Sequence, residues 1–145
     1  MIKFKSRIFC NTSICRAFAE RGAHVAFTWF LDHEGCLRTL AACGEQAEAV
    51  RANLSDDGAA EAVAAEVGQR DILVHSAATG ALRDTLDLRP KHWQRTMDVN
   101  VRAFLVLVQK LAPGMPSGGR IMALTSAGAH GALPQYAAVG ASKGA

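Results

Sequence analysis

The chain has 145 residues, enough for one domain with a buried core. Half of them are apolar, only 20% are charged and the formal charge is +3, which suits a closely packed soluble domain. The composition excludes a nucleic-acid platform, having no basic stripe and no alternation of aromatic and basic residues, and no apolar run reaches bilayer-spanning length.

Residues 1–19 hold no acidic residue before Glu20, a faint likeness to a transit peptide. No apolar core with a small-residue cleavage site follows, so secretion is not expected and the cytoplasm is the default compartment. Lys3 to Phe9 alternates charged with apolar residues, which does not suit a strand covered on both faces. Burying Lys3, Lys5 and Arg7 unpaired would cost several kcal/mol each. Four cysteines, Cys10, Cys15, Cys36 and Cys43, include no CxxC pair. With His24 and His33 they permit a zinc hypothesis, but the spacings match no common ligand pattern. They read as reduced, small apolar residues, and no metal site is expected.

His24–Trp29 is a β-branched and aromatic run that predicts a strand buried on both faces. Asp32 to Ala42 predicts a short helix stopped by Gly44. Glu48–Leu54 predicts the next strand. Ser55 is placed to cap the helix whose apolar face is Ala59, Ala60, Val63, Ala64 and Val67, with Asp56 and Asp57 in its first turn. Asp71–Ala77 is another buried strand. Pro90 opens a long helix with apolar residues from Trp93 through Met97, Val101 and Phe104 to Leu111. Pro113 to Gly119 makes the turn, Arg120–Ser126 the following strand, and a last helix begins near Pro134. Strands alternating with helices through short joints predict a doubly wound, Rossmann-like α/β fold with parallel strands.

The ordered pieces DILVHSAATGALRD (71–84), HWQRTMDVNVRAFL (92–105), GRIMALTSAGA (119–129) and YAAVGASKGA (136–145) resemble the short-chain dehydrogenases/reductases. The likeness runs from about Gly22 to Ala145 and is nearest to the enoyl-acyl-carrier-protein reductases, type III in particular. Tyr136 is the only tyrosine, and it lies seven positions before Lys143. Seven residues is almost two helical turns, so both side chains share a helix face roughly 10 Å apart along the axis. Commoner relatives place the tyrosine four before the lysine, where this chain has Val139, which cannot donate a proton. The wider spacing suits enoyl thioester chemistry, because hydride goes to the β-carbon while charge develops on an oxygen two carbons away.

The resemblance implies that Tyr136 donates to the enolate oxygen and that Lys143 holds the nicotinamide ribose and favours the phenol's acidity. It implies that Ser126, with Thr125 beside it, orients substrate, and that Asn100 supports the lysine through a water. Asn53 and Leu54 would meet the adenine, and Ala77 and Ala78 would pass close beneath the cofactor. Ser13 and Ile14 would lie at the pyrophosphate, with Ser13 capping the first helix. The alternative to that reading is a partly buried structural tyrosine and a surface lysine.

Three departures stand out. His75 and Ser76 replace two asparagines. No glycine occurs in residues 1–21, although a dinucleotide turn needs them. Segment 1–13 is therefore expected to be atypical, an edge or surface element or, as favoured, not the family's first strand. Residues 1–145 are expected to form a partial dinucleotide-binding domain, truncated after the fifth strand and the start of the next helix, with Arg120–Ser126 an unpaired apolar edge. The cofactor is expected to be NADPH or NADH, with a slight preference for NADPH; Asp32 and Arg38 are ambiguous markers. The implied substrate is an acyl thioester, carried by acyl carrier protein or another thiol, and the family would be homo-oligomeric. A 3-ketoacyl or carbonyl reductase, a catalytically silent fragment and a small metal module are the alternatives.

Overall fold

The structure is a computed structural model that describes the backbone of Ile2–Lys3 and all of residues 12–145. In chain order the elements are β1 (Ile2–Lys3), α1 (Thr12–Ala19), β2 (Val25–Trp29), α2 (His33–Cys43) and β3 (Ala47–Arg51). They continue with α3 (Ala59–Val67), β4 (Ile72–His75), α4 (Pro90–Met97), α5 (Ala103–Leu111), β5 (Arg120–Ala123) and α6 (Ala137–Gly144). The strands form a parallel sheet of order β3-β2-β1-β4-β5. The crossover from β3 back past β1 to β4 creates the crevice that such folds use for ligands.

Alternate residues of the sheet feed two cores. Val25 and Phe27 meet Cys15, Cys36 and Cys43 on the face covered by α1 and α2. Ala26 and Leu73 point the other way, against Val63, Ala103, Leu107 and Leu111 of α3 and α5. Helices on both faces make the sheet doubly wound, as the alternation of elements predicts. The three described cysteines are core residues, buried to 8% exposure or less. Cys10 lies outside the described residues.

Several boundaries differ from the sequence reading. Asp32 caps α2 by accepting from the Gly35 amide at 2.8 Å, and Gly44 ends that helix at φ 67°. Ser55 does not cap α3: Asn53 accepts from its hydroxyl at 2.8 Å, and Gly58 holds the cap position at φ 76°. The expected long helix from Pro90 is interrupted by a π-helical turn over Asp98–Arg102. Ile2–Lys3 pair with both β2 and β4, so this part of the N-terminal segment lies mid-sheet, in the place of a first strand rather than at an edge. Two registered backbone pairings on either side decide its place, which side-chain polarity could not. The rest of Lys3 to Phe9 lies outside the described residues. β5 is the sheet edge among the described residues, with Ile121, Met122 and Leu124 37–42% exposed.

Candidate active site

Tyr136 and Lys143 both reach the carboxyl end of β5, although Tyr136 stands at the N-cap of α6 and not inside it. Gln135 precedes it with φ 59°, a left-handed conformation rare for a residue with a Cβ, and its carbonyl accepts the Arg83 amide at 3.0 Å. This turn lays the phenol ring over Gly128, where an added Cβ would fall 2.3 Å from Tyr136 Cδ1. The phenol donates to Ser126 Oγ at 3.4 Å, so the expected serine partner is beside the tyrosine.

Lys143 Nζ donates to the Leu124 carbonyl at 3.0 Å, and its own carbonyl accepts from Thr125 Oγ1 at 2.7 Å. Partial burial holds the ammonium below the usual lysine range. Val139, one turn before the lysine, is buried, so no second acid or base stands between the pair.

Asn100 lies in the π-helical turn, and its amide reaches two elements at once. Its Oδ1 accepts from the Thr79 amide at 2.8 Å, and its Nδ2 donates to the Thr79 carbonyl at 2.9 Å and to Ser142 Oγ at 2.8 Å. The clamp fixes the loop after β4 to α6 beside Lys143. π-helical turns of this kind recur at functional sites because the extra residue re-aims a side chain. Gly80 packs so closely on α6 that a Cβ would sit 2.1 Å from Val139 Cγ2. Ala77 is buried and Ala78 half-buried on the same approach.

His75 is the feature that sequence reasoning undervalued. Its ring is 2% exposed and stacks on Phe104 with centroids 5.1 Å apart, and among the described residues neither nitrogen makes a hydrogen bond. Burial first, then the Lys143 charge, pushes its pKa down to about 4, opposed by the backbone of Asn100 and Val99. A cavity of about 80 Å³ joins His75 to Asn100, Thr125, Ser142 and Lys143. A larger cavity, about 310 Å³, opens at the amino ends of β2 and β3 beside His24 and Arg70, away from this chemistry.

The remaining expected cofactor residues are more scattered. Leu54 is buried in the core, and Asn53 is engaged with Ser55 and Asp56. Ser13 is an exposed residue in the first turn of α1, not its cap, because the helix already includes Thr12; Ile14 follows it, half-buried. The turn between β1 and α1 falls on residues outside the description. Asp32 is occupied by its cap and by Arg38 at 3.7 Å, so those two markers face each other. A cation missed in the sequence is Arg51, which ends β3 opposite Trp29 and lies 5.5 Å over its ring. The nicotinamide end thus fits a dinucleotide: small residues at the strand ends, a half-buried cation, a phenol and a hydroxyl.

A doubly wound parallel sheet with a phenol and an ammonium at the carboxyl end of β5 defines a nucleotide-binding α/β protein. Comparison with known proteins narrows this further. The family described as Enoyl-(Acyl carrier protein) reductase matches residues 12–145, and the chain belongs to it, within the short-chain dehydrogenases/reductases. It is 33% identical to 1-cyclohexenylcarbonyl-CoA reductase of Streptomyces collinus, over 92% of this chain and 50% of that protein. It is 28% identical to an NADH-type enoyl-[acyl-carrier-protein] reductase of Rhizobium meliloti, over 91% and 52%. A short-chain dehydrogenase/reductase structure from Serratia marcescens superposes with a TM-score of 0.89 at 27% identity, covering 99% of this chain and 62% of that one. The chain spans about half the length of the curated relatives it matches. Among the described residues no helix is long and apolar enough to cross a membrane.

Proposed function

We propose that this chain carries the nicotinamide-binding and catalytic portion of an NAD(P)H-dependent reductase of enoyl thioesters. The observation that supports this reading is the Tyr136–Lys143 pair at the end of β5, with buried Val139 between them. The nicotinamide supplies the hydride when bound. Tyr136 then donates a proton or a hydrogen bond to the oxygen that gains charge, and the neighbouring Lys143 ammonium favours that donation. Ser126 holds the phenol's orientation, and Asn100 holds the loop after β4 against α6. Arg51, at the end of β3 over the Trp29 ring, favours NADPH by offering a cation to an added phosphate.

The Ser126–Tyr136 contact also favours a second reading, a 3-ketoacyl or carbonyl reductase, since the same pair can polarise a ketone. The purified chain is incubated with NADPH and NADH and its melting temperature followed, then offered a crotonyl and a β-ketoacyl thioester. A cofactor-dependent rise with crotonyl turnover, lost in Tyr136→Phe, is expected. Turnover of only the ketone establishes the second reading, and neither shift nor turnover refutes both for this chain.

A further inference from the structure

The loop after β4 and the first turns of α4 line a cleft of about 440 Å³ beside the Gly80–Val139 contact. Thr79, Gly80, Ala81, Lys91, His92, Arg95 and Thr96 line it, three bases without a carboxylate. Lys91 and Arg95 are one helical turn apart, and neither makes an ion pair or side-chain hydrogen bond within the described residues. The backbone N–H groups of Gly80 and Ala81 also have no acceptor there. His92 Nδ1 accepts the Arg89 amide at 3.3 Å, which leaves the Nε2 proton as a donor. Partial loss of hydration and then the charges of Arg83, Lys91 and Arg89 hold this imidazole below the usual range. Of the carboxylates nearby in sequence, Asp98 is engaged by Gln94 and Arg102, and Asp87 lines the adjoining hollow with Arg83 and Arg89.

We propose that this cleft is a phosphate-binding subsite that takes a phosphate of the thioester's carrier arm, placing the acyl group toward Tyr136. Two cations, an imidazole donor and free amides supply what a phosphate oxygen needs. The Asn100 clamp on Thr79 makes the cleft wall continuous with the catalytic helix, so an anion held here shares its wall with the phenol. The carrier clause rests on the enoyl thioester reading; the anion site itself does not.

The test follows the His92 ring protons by NMR in the 145-residue chain. Inorganic phosphate, against chloride at equal ionic strength, is expected to raise the His92 titration midpoint severalfold in proton affinity while leaving His24 unmoved. Lys91→Ala with Arg95→Ala is expected to abolish that response; each is exposed, so the fold is not at risk. An unmoved His92, or an equal response in the double variant, overturns the site. Crotonyl-CoA is then compared with crotonyl-pantetheine, which lacks the phosphates. The double variant is expected to weaken the first about tenfold, near 1.4 kcal/mol, and to spare the second. Equal weakening of both, or of neither, overturns the carrier-arm assignment. A crotonyl-loaded carrier protein that moves His92 as crotonyl-CoA does supports the shared phosphate chemistry, and binding of only one identifies the carrier. None of these readouts needs turnover or a nicotinamide, so they separate this inference from the reductase reading.

Discussion

Acidification probes the candidate site through His75. An exposed imidazole titrates near 6.5, and this one is pushed down to about 4. The unfolded chain therefore binds a proton between those pH values and the folded chain does not, so stability falls as pH drops through that window. It is fully present above about 6.5, and this group takes away nothing further below about 4. At about 1.4 kcal/mol per pH unit the loss sums to roughly 3 kcal/mol, a large share of a typical domain's 5–15 kcal/mol. Carboxylates titrate in the same range, so the measurement is the difference between wild type and His75→Gln or His75→Phe. Urea unfolding at intervals from pH 4 to pH 7 is expected to show the two stability curves converging by roughly 3 kcal/mol toward low pH. Parallel curves would refute the reasoning. Lys143→Met, which removes the second cause of the depression, is expected to raise the His75 midpoint.

Gly128→Ala sets a methyl against the Tyr136 ring and is expected to lower turnover by tenfold or more while cofactor binding, read by thermal shift, changes little. Asn100→Ala removes three hydrogen bonds that join the Thr79 loop to α6 and is expected to cost about 2–4 kcal/mol in chemical denaturation. Met122→Lys places a charge on the exposed edge strand and is expected to reduce self-association of the chain in light scattering without lowering its melting temperature.

The order and type of the elements were legible because each depends on neighbours in sequence. The apolar run at Val25–Trp29 and the spacing of Ala60, Val63, Ala64 and Val67 name buried faces whatever lies across from them. The spacing of Tyr136 and Lys143, with Val139 between, marked the candidate chemistry for the same reason. Ser55 misled because its hydroxyl has two local partners available, and the choice between Asn53 and a helix end is settled by the turn.

Sequence by itself determined the alternation of strands and helices, the two apolar faces and the residue types able to move a proton. Only the tertiary structure decided where β1 sits, how the π-helical turn aims Asn100 at both Thr79 and Ser142, and that His75 is buried beside Lys143 with no hydrogen bond among the described residues. Those arrangements join residues 21 to 70 positions apart, and no periodic pattern carries them. They arise from sheet order and helix packing, which bring distant segments to one edge and set the field that each ionisable group meets.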